Sequence, residues 1–241
     1  MSTFSSVKPN ADLSAFSKLL LPRVIMKFFS LFGRLKSVVI GMVHVKALPG
    51  TPLSSMKMSE ITEEACREAE IYSDAGVDGL IIENMHDIPY IFSVGPEVTA
   101  CMTVVCSAVR NQCPFLPLGV QILSSANHQA LAVALASGLD FIRAEGFVFS
   151  HVADEGLLNA CAGELLRYRK QIGAEHVHVF TDIKKKHRCE HCRNSSGCRV
   201  LPVRWTHYHR KCHWSAGRPT ATQRGFRVYE DTCSDWLWGD L

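Results

Sequence analysis

The stretch VVIGMVHV at Val38–Val45 decides the fold, because it is an almost unbroken apolar run that ends in a turn-rich segment. A helical pattern follows at about 59–75, and a second apolar run, VDGLIIEN, occupies Val77–Asn84. Apolar strands that alternate with helices are typical of a parallel sheet covered by helices. The stretch therefore predicts the first β/α unit of an α/β fold.

The same alternation continues as far as His187. It predicts further strands at 116–123, 139–146 and 177–183, and further helices at about 96–111, 128–136 and 156–171. Parallel strands joined by helices make right-handed crossovers, and such a sheet either stays open or closes into a barrel. We predict an α/β fold with about five of the eight parallel strands of an incomplete TIM-like (β/α) barrel.

The two ends of the chain differ from this middle part. Residues 188–241 hold all four tryptophans and keep neither a helical nor an alternating period. Residues 1–35 are rich in Ser, Lys, Leu and Phe, a composition that weakly favours a mitochondrial presequence. We predict an N-terminal extension at 1–35, the partial barrel at 36–187 and a disordered, non-homologous tail at 188–241. The location is expected to be cytoplasmic, with mitochondrial as the alternative.

Two interpretations of the tail compete. Its Cys189-x-x-Cys192 pair precedes further Cys and His residues, a spacing that suits a zinc or nucleic-acid-binding module. The other interpretation is translation in a shifted reading frame, because shifted codons permit strand-like and glycine-rich segments such as DGLIIT, PVLIG and GSGVT. Glycine-rich turns late in such barrels commonly bind phosphate. We favour the shifted frame, and hence a truncated isoform.

Composition excludes several classes of protein. The net charge of +3 favours neither a nucleic-acid binder nor a membrane-surface protein. No apolar run approaches the roughly 20 residues that a membrane span needs. The ten cysteines follow no secretion signal, so we expect them to be reduced in a soluble protein. Partners must therefore be inferred from the candidate site.

Polar side chains cluster where the predicted strands end, which is where parallel barrels place reacting groups. Glu83 is the best general-base candidate, because a half-buried carboxyl can have its pKa raised. The alternatives are ordinary ion pairs, Glu83 with Arg143 and Asp182 with Lys184. The predicted catalytic residues are His44, Glu83, Arg143 and Asp182, and the predicted ligand-binding residues are Asn84, Gln121, Glu145 and Lys184.

Metal and cofactor assignments stay open. His86 and Asp87 could join Glu83 as metal ligands, but their spacing singles out no metal. We therefore assign no metal site, and the cofactor is unknown.

Several motifs together resemble a known family. They include VVIGMVHVKALPGTP, GVDGLIIENMHDIPY, GVQILSSANHQALAVALASGLDFIRAEGFVF and VFTDIKKKH. These segments, from about Ser37 to His187, are similar to those of the BtpA family of photosystem I biogenesis proteins. The resemblance implies a TIM-like barrel but no assigned reaction, and the last three β/α units of the family are not recognisable here.

Three functions follow as hypotheses. The first is an enzyme-type barrel that binds a small phosphorylated or nucleoside-like metabolite in its full-length form and is inactive in this truncated form. The second is a non-catalytic assembly or stability factor for a protein complex, and the third is the zinc- or nucleic-acid-binding tail. The oligomeric state is unknown. Because five strands cannot close an eight-stranded barrel, we also expect open strand edges and poor stability.

Overall fold

A computed structural model describes residues 27–35, 37–153, 156–182 and 226–228 of the chain. Its helices are α1 (27–32), α2 (Met58–Asp74), α3 (Pro96–Gln112), α4 (Asn127–Ala136) and α5 (Ala162–Gln171). Its strands are β1 (Val39–His44), β2 (Gly79–Glu83), β3 (Leu118–Gln121), β4 (Phe141–Ala144), β5 (His151–Ala153), β6 (Gly156–Leu158), β7 (His178–Thr181) and β8 (Phe226–Val228).

The main sheet runs in the order β7-β4-β3-β2-β1-β8. From β1 to β7 neighbouring strands are parallel and follow chain order without a reversal. A doubly wound sheet reverses its strand order at one point, whereas a barrel adds each strand to the same side of the last. The predicted α/β class is confirmed, and this arrangement is that of a partial barrel.

The helices α2 to α5 pack on one face of the sheet, which we call the outer face. Alternate strand residues such as Val43, Ile82, Val120 and Ile142 join the helices in one buried apolar cluster. On β1, Gly41 leaves the space that the Tyr72 ring of α2 fills, since a Cβ there would lie 3.0 Å from that ring. Close packing against this face fixes the strand register.

Local signals explain where the helices begin and end. The Glu60 carboxylate accepts a hydrogen bond from the Lys57 N–H at the start of α2 (2.8 Å), and Pro96 opens α3. Gly76 follows α2 and Gly138 follows α4, each with a positive φ that suits glycine. Local sequence signals therefore set the ends of these helices.

The opposite face, which we call the interior face, carries a second apolar cluster. Ile40, Met42, Phe141 and Phe180 from the strands are buried there. Two rings of α1, Phe28 and Phe32, complete the cluster, and the Phe32 ring stacks 6.2 Å from that of Phe180. Residues 27–32, which the sequence analysis placed in the N-terminal extension, therefore pack against the amino-terminal end of the interior face.

Two elements were not predicted. The segment before α5 contains an antiparallel hairpin, β5 with β6, where the sequence analysis began a helix at 156. That expectation was wrong, because the helix begins only at Ala162. In addition, the three-residue β8 of the tail pairs antiparallel with β1, from Val39 to Gly41. The rest of the tail lies outside the described residues.

None of the helices in the described ranges has the length and apolar composition needed to cross a lipid bilayer.

Candidate functional site

The first three strands place their polar terminal residues side by side. In the sheet register His44 of β1 lies beside Glu83 of β2, and Glu83 lies beside Gln121 of β3. Because side chains alternate along a strand, His44 shares the interior face with Met42, and Glu83 shares it with Ile81. The interior face is therefore apolar at one end and polar at the carboxyl ends of the strands. We call this polar end the rim.

A histidine–carboxylate contact on the rim joins His44 and Glu83. The His44 Nε2 atom lies 3.6 Å from Glu83 Oε2. The Glu83 residue is only 5% exposed, whereas the His44 side chain is 35% exposed. A second imidazole, that of His86, lies edge-on with its ring centroid 6.5 Å from that of His44. A buried carboxylate beside a half-exposed imidazole can exchange protons with a bound molecule.

A buried network behind Glu83 holds the surrounding loops together. The Asn84 side-chain amide donates to Asp87 Oδ2 (2.9 Å), and Asn84 Oδ1 accepts from the Leu123 N–H (2.8 Å). Asp87 Oδ1 accepts from the Leu48 N–H (2.8 Å). These bonds join the loops after β1, β2 and β3. Asn84 therefore helps to hold the rim in place.

Glu145, which follows β4, is fixed in a similar way. Its carboxylate accepts from the Ser125 N–H (3.1 Å). Its backbone N–H donates to Asn127 Oδ1 (3.1 Å), while Asn127 Nδ2 donates to its carbonyl oxygen (2.7 Å). Ser125 adopts a positive φ of 60°, an uncommon conformation for serine that these bonds help to hold.

Arg143 pairs with Asp182 across β4 and β7. The guanidinium donates to both carboxylate oxygens, from Nε at 3.0 Å and from Nη2 at 3.2 Å. This is the bidentate geometry that makes arginine–carboxylate pairs strong. Arg143 thus has a direct partner in Asp182, and Glu83 lies beside His44.

One rim group has an unmet hydrogen-bonding need. The Gln121 side-chain oxygen is buried with no hydrogen-bond partner among the described residues, and the whole residue is 1% exposed. The hydroxyl of Ser124, in the loop after β3, is in the same state. Native proteins rarely leave buried polar atoms unpaired without a reason, and a binding site is one such reason.

Most of the predicted site residues lie at or just after the ends of strands. His44, Glu83, Gln121 and Arg143 lie at the ends of neighbouring strands; Asn84, Glu145 and Asp182 immediately follow strands. Lys184 lies outside the described residues. Within the described ranges, no group of three or more His, Cys, Asp or Glu side chains is arranged to hold a metal ion.

Sequence reasoning missed the supporting residues Ser125 and Asn127. Both belong to the segment SSAN between β3 and α4. A short polar run directly after a strand, with Asn at the start of a helix, was the available signal. Cys161, whose Sγ accepts from Asn127 Nδ2 (3.1 Å), was also missed as a neighbour of the site. Burial raises the pKa of this thiol, so it is a packing group rather than an activated nucleophile.

Comparison with known proteins gives a consistent family match. The model of the BtpA family matches residues 35–199, which is more than half of the chain. That range includes residues 188–199, which the sequence analysis assigned to the tail. It also includes every described rim residue.

Curated relatives come from distant organisms. An uncharacterized mitochondrial protein of Caenorhabditis elegans is 51% identical over 63% of this chain and 57% of its own length. An uncharacterized protein of Archaeoglobus fulgidus is 36% identical over 64% of this chain and 61% of its own length. The photosystem I biogenesis protein BtpA of Synechocystis is 35% identical, over 62% and 52% respectively. The chain thus spans between half and two thirds of the length of these relatives.

Proposed function

The chain belongs to the BtpA family, and from that premise we propose that its rim binds a small polar metabolite and exchanges a proton with it. The single observation that carries this proposal is the side-chain oxygen of Gln121, which has no partner among the described residues and is buried in register beside Glu83. A structural role for Gln121 would be expected to satisfy that oxygen within the protein.

The proposed roles follow from the geometry. Glu83 accepts a proton from the bound molecule, because its carboxylate is buried at the end of β2 and faces the interior. His44 lies close enough to stabilise the Glu83 carboxylate and is exposed enough to pass a proton to solvent. Arg143 and Asp182 fix each other's orientation through two hydrogen bonds and form the edge of the rim on the side of β7. Gln121 orients the ligand.

We expect the partial barrel formed by the described strands to bind such a ligand weakly. Sites at the carboxyl ends of barrel strands are assembled from several β/α loops around the ring. Among the described residues, the parallel strands form an open sheet from β1 to β7. We therefore propose stronger binding, and any catalysis, in the longer relatives of this chain.

The test is a ligand-induced thermal-shift screen of the full chain and of the nematode relative against a panel of polar metabolites. We expect hits with the relative that are lost in the variant equivalent to Glu83→Gln, and weaker hits with the same compounds in this chain. The matched control is Glu70→Gln, an exposed position on α2, which should leave every shift unchanged. If no compound binds either protein, metabolite binding is wrong.

A cellular experiment separates this proposal from an assembly role. Replacing Glu83 and Arg143 by alanine in the longer relative should abolish its cellular function if the rim acts on a metabolite. Unchanged cellular function at normal protein levels would instead support a non-catalytic assembly or stability factor.

The cellular location is a separate proposal. The nematode relative is named as a mitochondrial protein, which supports the mitochondrial alternative over the cytoplasmic one. Imaging of the full chain carrying a C-terminal tag, with and without residues 1–25, tests it. Mitochondrial signal that depends on residues 1–25 would support import, and diffuse signal from both proteins would support a cytoplasmic location.

A further inference from the structure

We propose that the part of the ligand received by this rim is an uncharged group with adjacent hydroxyls, and that it is not a phosphate. This inference rests on the proposed function, because it names the chemistry that the same site would recognise. It is drawn from which hydrogen-bonding groups on the rim are already used and which are not.

The carboxylates of the rim outnumber its cations among the described residues. The carboxylates are those of Glu83, Asp87, Glu145 and Asp182. The described cations at these strand ends are the Arg143 guanidinium and the Lys46 ammonium, and Lys46 is paired with Glu64 of α2. A phosphate group at this place would bring more negative charge next to buried carboxylates. Like charges in a weakly solvated site repel strongly, so this rim disfavours an anion.

Among the described residues, the Arg143 guanidinium is the rim cation that could offset this charge, and it already has a partner. Arg143 directs both Nε and Nη2 at the carboxylate of Asp182. A phosphate that captured this guanidinium would leave Asp182, which is itself buried, without its bidentate partner. Removing one member of a buried ion pair is strongly unfavourable.

The carboxylates are also already matched, which argues against a cationic ligand. Asp87 accepts from Asn84 and from the Leu48 N–H, and Glu145 accepts from the Ser125 N–H. Glu83 has His44 beside it. The groups of the rim left without a partner among the described residues are neutral, the amide oxygen of Gln121 and the nearby hydroxyl of Ser124. The partner that the Gln121 oxygen requires is a neutral donor.

Two adjacent hydroxyls suit the neighbouring acceptors Gln121 and Glu83, because a carboxylate can accept a hydrogen bond in addition to those it already has. One hydroxyl donates to Gln121 Oε1, and its neighbour donates to the Glu83 carboxylate, the adjacent residue in the sheet register. Neighbouring parallel strands lie about 4.8 Å apart, a spacing that two hydroxyls on adjacent carbons can span. A bidentate contact of this kind would select a diol over a single alcohol.

The first experiment compares matched probes on the full chain and on the nematode relative. The probes are adenosine and its 5′-monophosphate, ribose and its 5-phosphate, and 2′-deoxyadenosine, which lacks one hydroxyl of the diol. We expect each phosphate to bind no more tightly than its parent, and 2′-deoxyadenosine to bind at least threefold more weakly than adenosine. Tighter binding of both phosphorylated probes, or equal binding of the deoxy probe, would overturn the inference.

Failure of this inference differs from failure of the proposed function. If the phosphorylated probes bind and depend on Glu83, the rim is a metabolite site and only the ligand chemistry is wrong. If no probe and no member of the metabolite panel binds either protein, both proposals fall together.

A second measurement needs no ligand. Gln121→Met keeps the side-chain length but removes the unpartnered amide, so we expect the unliganded chain to melt at a higher temperature and to lose adenosine binding. Thr181→Val is the matched control, because its buried hydroxyl is likewise unpartnered among the described residues but belongs to the outer face. It should raise the melting temperature without changing binding. A lower melting temperature for Gln121→Met would show a structural role and contradict the inference.

Discussion

At the scale of single residues, the site depends on which polar partners lie within reach across strand ends. Position at the end of an apolar run is visible in the sequence, so candidate rim residues could be named from the sequence. The sequence left Glu83 open as a general base or as an ion-pair partner of Arg143. In the structure Glu83 lies beside His44, and Arg143 binds Asp182. Sequence patterns locate strand ends, but they do not show which side chains on neighbouring strands come into contact. The His44–Glu83 and Arg143–Asp182 contacts could therefore not be predicted.

The Arg143–Asp182 pair gives a direct stability prediction. Arg143→Met leaves the buried Asp182 carboxylate without its bidentate donor, so we expect the free energy of unfolding to fall by roughly 1.5–3 kcal/mol. Urea titration of the full chain measures this change. Arg167→Met is the control, since Arg167 is exposed and donates to a carbonyl of its own helix. An equal loss in both variants would contradict the structural role of the pair.

Glu68 of α2 gives a pH prediction. Burial raises the pKa of this carboxyl above its ordinary value of 4.5, although Lys46 opposes the shift. The folded chain therefore binds the Glu68 proton more tightly than the unfolded chain, and this residue costs stability as the pH rises through that range.

Replacing Glu68 by glutamine removes that dependence. We expect Glu68→Gln to be no more stable than the wild type near pH 4 and increasingly more stable towards pH 7, by thermal melts at both values. Glu63→Gln, an exposed position on the same helix, should show no such trend. If the stability gained by Glu68→Gln instead became smaller towards pH 7, the predicted pH dependence would be wrong.

At the scale of elements, strands and helices with a clear period were predictable and irregular ones were not. The β1 prediction at 38–45 differs from the structure by one residue at each end, because an apolar run bounded by turn residues marks a buried strand. The β5–β6 hairpin was not predictable, since its strands have only three residues each and show no alternation. The packing of α1 was missed because composition alone placed residues 1–35 outside the fold.

Phe32 tests whether α1 belongs to the folded core. Its ring contacts both Phe141 and Phe180, and the residue is buried. We expect Phe32→Ala to reduce the free energy of unfolding by about 3 kcal/mol, the scale of phenylalanine deletions from cores. Phe29→Ala, at an exposed position of the same helix, should change it by less than about 0.5 kcal/mol. Equal, small effects on chemical denaturation would place α1 outside the core.

At the scale of the whole molecule, the described strands form an open sheet whose two faces are covered differently. The outer face is covered by helices, and the interior face is closed at one end by α1 and polar at the other. The sequence predicted the partial barrel because repeated β/α units are a global pattern. It did not predict that β8 would pair with β1, because three residues are too few to reveal a strand period in the sequence. At the β7 edge of the sheet, no further strand is paired among the described residues.

The central claim is that the strand ends form one binding site on the interior face, and hydrogen–deuterium exchange of the full chain with saturating adenosine tests it most directly. The account predicts slower exchange in peptides covering residues 83–87 and 121–127, with no change in α1 at the opposite end of the same face. Slowing confined to α1 or to the outer helices, or no slowing anywhere, would contradict it.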